Sequence, residues 1–108
     1  MSYSLFNFDN IVDAQNFNAS TSAAFVNTLF SSPTKQLYRK VFLTNNDSTN
    51  TIYVNFSVNG SANVSSTKWA IVLTPGDSVP IDAGRGVIAQ MNVIASGGTP
   101  ALNMVFGA

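Results

Sequence analysis

The 108-residue chain contains no cysteine, no histidine and no glutamate. Without cysteine it forms no disulfide and offers no thiolate. With histidine missing as well, the usual donor sets for zinc and iron are gone. Charge is scarce too: charged side chains make up 9% of the residues, against about 25% in an ordinary soluble domain. The five basic and five acidic groups cancel, and neither sign is bunched. A protein that neutralises several phosphates needs a surplus of Lys and Arg on one face. Nucleic acid is therefore not an expected partner, and on the same ground neither is an anionic membrane surface. No stretch approaches the roughly 20 apolar residues that span a bilayer. The opening Met1-Ser2-Tyr3-Ser4-Leu5-Phe6 lacks the basic start and apolar run of a signal peptide. The expectation is a protein made in a cytoplasm and not exported by a cleaved leader.

Ser, Thr and Asn fill the gap, at about a third of all positions. With them come eight Phe, three Tyr and one Trp, far too many aromatic residues for a disordered chain. At this length the chain makes one domain, able to bury roughly two thirds of its unfolded surface in a single core. Zero net charge leaves little repulsion between copies, so self-association or a place in a fixed assembly is expected.

From residue 37 onward the hydrophobic period is two. Leu37, Arg39, Val41 and Leu43 share one face, and Ile52, Val54, Phe56 and Val58 form a cleanly apolar one backed by Tyr53, Asn55 and Ser57. Between them Asn45-Asn46-Asp47-Ser48-Thr49-Asn50 reads as a turn. Trp69-Ala70-Ile71-Val72-Leu73 is a continuous apolar run, which predicts a strand buried on both sides. Pro75-Gly76-Asp77 turns the chain, and Pro80 marks the short strand at 79–81 as an edge. A strand at 87–94, a Gly-rich turn at 96–100 and a last strand at 101–106 complete the pattern. Residues 11–30 read as extended, with a short helix as the alternative, and Ser31-Ser32-Pro33-Thr34 ends that segment. Seven to eight short strands with regular turns predict an all-β protein, a single antiparallel β-sandwich of jelly-roll or immunoglobulin type. The division expected is an N-terminal arm or partly strand segment over 1–36 and a sandwich body over 37–108.

The apparent catalytic motifs have plainer explanations. Gly84-Arg85-Gly86-Val87-Ile88-Ala89 matches a dinucleotide fingerprint, which needs a helix where this chain continues as strand. Ser32 to Lys35 and Ser65 to Lys68 have the Ser-x-x-Lys spacing of acyl-transfer enzymes, but both lie in Ser- and Thr-rich loops. Asp77 and Asp82 lie in neighbouring turns and are the closest approach to a carboxylate pair. A calcium loop around Asp47 has a single carboxylate, so an Asx-type turn is the better reading. Five Asn-x-Ser/Thr acceptors, starting at Asn18, Asn46, Asn55, Asn59 and Asn63, follow from the abundance of both residue types. Tyr38, Tyr53 and Trp69 are of the kind that stacks on sugars; the plainer reading has Trp69 anchoring the core.

Four segments carry a resemblance: Leu43-Thr44-Asn45-Asn46, Thr51-Ile52-Tyr53-Val54-Asn55-Phe56, Leu73-Thr74-Pro75-Gly76-Asp77-Ser78-Val79 and Ile94-Ala95-Ser96-Gly97-Gly98-Thr99-Pro100-Ala101-Leu102. In them the chain resembles small β-sandwich structural proteins of tailed-bacteriophage virions. The resemblance implies a virion location and no catalytic residue, and the residues themselves lead to no expected cofactor or metal. Its partners would be the major capsid protein or other virion proteins, with many copies or a homo-oligomer in the assembly. The first expectation is thus a non-enzymatic capsid decoration (cement) protein, with Phe6, Phe8 and Phe17 buried against a partner or, equally, capping the chain's own sandwich. The alternatives are a carbohydrate- or receptor-binding module of a tail or fibre, using Tyr38, Tyr53 and Trp69, and a neck or tail completion protein.

Overall fold

A computed structural model describes residues 11–26, 39–56, 64–83 and 91–107. Within them lie eight strands: β1 (Ile11–Asn18), β2 (Ala24–Phe25), β3 (Lys40–Asn45), β4 (Ile52–Phe56), β5 (Ile71–Leu73), β6 (Ser78–Asp82), β7 (Met91–Ala95) and β8 (Ala101–Gly107). They form two four-stranded sheets, one in the order β1-β8-β3-β6 and the other β2-β7-β4-β5. Every pairing is antiparallel. The chain runs as though a long ribbon of β1–β4, laid against β5–β8, had been rolled up. β1 meets β8, β2 meets β7, β3 meets β6 and β4 meets β5. That order is the jelly roll, and it decides between the two sandwich types the turn spacing allows.

The rolling has a simple cause. Alternation gives each strand one apolar face, and two such faces are buried by being laid on each other. Val41, Leu43, Leu102, Met104 and Phe106 from the first sheet and Ile52, Val54, Leu73, Met91, Val93 and Ala95 from the second belong to one buried cluster. Phe17 on β1 and Val79 and Ile81 on β6 pack against it from the rim. The inward sets predicted from the period of two in β3 and β4 are thus the observed ones at Val41, Leu43, Ile52 and Val54. Residues 11–18 and 24–25 are strands of the two sheets, and residues 27–30, which the alternative short helix needs, lie outside the described residues.

One strand is corrected. The run Trp69–Leu73 is not buried on both sides: β5 has three residues, lies at the edge of its sheet, and Trp69 is 45% exposed. Its length is limited by the hairpin just before it, where Ser65 and Lys68 exchange backbone hydrogen bonds of 2.9 and 3.2 Å. At the other end Leu73 runs straight into the Pro75-Gly76 turn. Five apolar residues in a row need not all enter a core when turns on both sides leave room for three. The edge assignment of Pro80 agrees with β6 lying last in its sheet.

Candidate functional site

Four of the connections between sheets, at 19–23, 46–51, 74–77 and 96–100, gather at one end of the sandwich and are tied together. Ala19 N–H donates to Pro100 O (2.9 Å) and Ala95 N–H to Ser20 O (2.7 Å), so the first connection touches both sheets. Ser96 N–H donates to Thr51 O and Thr51 N–H to Ser96 Oγ, both at 2.9 Å. Asn45, the last residue of β3, is fully buried. Its Nδ2 donates to Asn50 O and, across to the other sheet, to Leu73 O, both at 2.9 Å. Its Oδ1 accepts from Asp47 N–H at 3.0 Å. Residues 43–46, 51–56, 73–79 and 94–102, singled out in the sequence, are largely the segments that meet here.

Both acidic groups at this end hold backbone. Asp47 Oδ2 accepts from Thr49 N–H (3.1 Å) and Asn50 N–H (2.6 Å). Those bonds, Asn50 first, hold its carboxyl below the ordinary range because they favour the charged form. The loop is the Asx-type turn its sequence suggests. Asp77 Oδ2 accepts from the Thr74 N–H and hydroxyl, and Asp77 N–H donates to Thr74 O at 3.0 Å. With Gly76 at φ +81°, Thr74-Pro75-Gly76-Asp77 is a type II turn, where Pro pre-sets the first corner and Gly takes the positive φ of the second.

The sequence placed Asp77 and Asp82 in neighbouring turns. They stand instead at opposite ends of β6, with Asp82 in register opposite Lys40, so they do not face each other across a cleft. Ser65 and Lys68 flank a two-residue turn instead of lying on one helical face, the arrangement an acyl-transfer pair would require. Among the described residues there is no group of three or more His, Cys, Asp or Glu placed to hold a metal. No helix there is long and apolar enough to cross a membrane.

The outer sheet faces carry the remaining candidates. On the first sheet Ala14, Val105, Phe42 and Pro80 lie in register across four strands, and Asn16, Asn103, Thr44 and Ser78 form the next row. None of the eight is charged, and all are exposed or half-buried. On the second sheet Ile94, Tyr53 and Val72 stand in register. Trp69 joins them, its ring centroid 6.5 Å from that of Tyr53 with the planes tilted by 37°. The core role expected for Trp69 is therefore wrong, and two of the three aromatics named for sugar binding are brought together. Of the two places open to Phe17, a partner or the chain's own sandwich, the second is observed: it packs on the protein's own core. Phe6, Phe8, Tyr38, the Gly84-Arg85-Gly86 motif and the Ser32–Lys35 pair lie outside the described residues.

Sequence reasoning passed over two buried amides. Asn45 is hidden because Asn before a turn is commonplace. Asn92 is hidden because it sits inside the apolar strand β7. It is fully buried, and neither its Nδ2 nor its Oδ1 has a hydrogen-bond partner among the described residues. The signal available was the asparagine itself, interrupting Met91-x-Val93-Ile94. No protein-family model, curated protein or solved structure matches the chain, so the geometry carries the functional argument.

Proposed function

We propose that this chain is a non-enzymatic structural protein of a virion, a decoration protein that lies on the capsid shell in many copies. The observation that carries the reading is the outer face of the β1-β8-β3-β6 sheet, where two uncharged rows lie beside a third that sets Lys40 opposite Asp82. Two in-register rows, one apolar and one of Asn, Thr and Ser, run across all four strands. Neighbouring strands are about 4.8 Å apart, so such a face is flat and wide enough to seed a protein interface. Desolvating those two rows costs no buried charge. The jelly roll is a body found in capsid proteins and lectins alike, and that likeness is one of fold, not of role. The neutral composition fits close packing of like copies. The two carboxylates at the loop end support a structural reading, since both hold turns together.

Two measurements test the proposal. Mass-spectrometric counting of the chain in purified particles should give a number matching the capsomers. A dozen copies or fewer would assign it to the neck or tail, and its absence from particles would refute the reading. In the second, Asn16→Lys with Ser78→Lys puts two charges into the uncharged Asn-Thr-Ser row. Capsid binding should be lost while the β-sheet circular dichroism is kept; undiminished binding would refute the role of that face.

A further inference from the structure

The patch around Tyr53 and Trp69 on the opposite sheet calls for a different ligand from the one proposed for the broad face. Trp69 is the one large hydrophobic side chain exposed among the described residues, and it makes a shallow angle with Tyr53. Val72 and Ile94 flank Tyr53 in register on either side. The apolar surface stops there. Towards the loop end come Thr51 and Ser96, hydrogen-bonded to each other. On the other side the next row pairs Asn55 with the buried Asn92. Four apolar side chains are far fewer than the roughly 20–30 residues a side of a stable protein interface. They do match the size of one or two sugar rings.

The chemistry agrees with the size. A pyranose has an apolar face of C–H groups and a rim of hydroxyls. Aromatic rings suit the first, since Tyr and Trp offer large apolar faces with a polar tip. Hydroxyl and amide neighbours suit the second. The row itself carries no charge, so it offers no counter-ion to an acidic ligand and has no charge of its own to desolvate beneath a neutral one. We infer that this surface binds a neutral oligosaccharide, stacked on Trp69 and Tyr53 with its hydroxyls towards Thr51 and Ser96. The inference is independent of the capsid role: a decoration protein with this patch would display a glycan-binding surface outward, and the patch would serve equally well elsewhere on a particle.

Trp69 is the only tryptophan in the chain, so its fluorescence reports directly on the site. The whole chain is screened on an array of neutral oligosaccharides and by affinity electrophoresis through gels containing xylan, galactomannan or soluble glucan. Any hit is then titrated in solution. Binding should be saturable and should shift the Trp69 emission. By calorimetry Trp69→Ala should weaken it at least roughly tenfold, the loss expected of a central Trp. Tyr53→Phe, which keeps the ring, should weaken it much less. Thermal unfolding of Trp69→Ala should match the parent, since the side chain is exposed. No binding in any gel or on the array overturns the inference, as does binding that survives Trp69→Ala. Dependence on Trp69 for a protein partner instead of a saccharide overturns it too.

Discussion

Asn45 and Asn92 are the same residue type, equally buried, with opposite surroundings, and this makes a controlled experiment. Asn45 satisfies three hydrogen bonds, one of them to the buried Leu73 carbonyl of the other sheet. Replacing it by the similarly sized leucine removes all three, at about 1 kcal/mol each. It also strips the Leu73 carbonyl of this donor, for roughly 1–3 kcal/mol more. Added apolar burial returns about 1–2 kcal/mol, leaving a net loss of about 3 kcal/mol. That is a large share of the roughly 5–15 kcal/mol that holds a domain of this size. Asn92 makes no such bonds among the described residues, so Asn92→Leu removes only an unpaired amide and should stabilise by about 1–2 kcal/mol. In urea, with a slope near 1.5–2 kcal/mol/M, Asn45→Leu should lower the midpoint by about 1.5–2 M. Asn92→Leu should raise it by about 0.5–1 M. The slope itself should not change. If both variants shift the midpoint in the same direction by like amounts, burial and not hydrogen bonding sets the worth of these amides, and the reasoning fails.

The glycines separate strain from crowding. At Gly76, with φ +81° and open space where a Cβ would stand, Gly76→Ala should cost about 1 kcal/mol through backbone strain alone. Gly98→Ala meets φ +58° and also the Asn50 amide nitrogen at 2.8 Å; it should cost more, and Asn50→Ser should recover part of the difference in thermal melts. The Asp47 carboxyl is held below its ordinary range. It therefore stabilises above the unfolded-state value near pH 4 and loses that effect as pH falls through the lower folded value. Asp47→Asn should lower Tm at neutral pH and flatten the acid limb below about pH 4; an unchanged limb would refute the role of its bonds to Thr49 and Asn50. Deleting residues 1–20 removes β1 and Phe17 from the sheet and core, so it should abolish cooperative unfolding. A truncation meant to test a partner-binding arm must therefore end before Ile11.

Much of the architecture was legible because a period of two states which face of a strand is buried. Val41 and Leu43, Ile52 and Val54 follow that rule, and so does the Pro-Gly corner at 75–76, where residue chemistry alone demands the turn. The candidate sites were legible only as residue types. Tyr53 and Trp69 were named, but their meeting depends on β5 pairing with β4, and the exposure of Trp69 depends on how few residues fit between two turns. Phe17 carried the apolar signal without a destination, since an aromatic in an extended segment packs equally well on a neighbour or on its own core.

By itself the sequence determined an all-β sandwich, its turns, its charge-poor surface and the poverty of its catalytic groups. These are local properties, set by φ preferences, side-chain alternation and composition. Tertiary structure decided which strands are neighbours, and with that the jelly-roll order. It also decided the gathering of four loops at one end, the opposite fates of two buried asparagines and the pairing of Tyr53 with Trp69. Alternation assigns a side chain to a face; only the packing of one strand against another decides what that face meets.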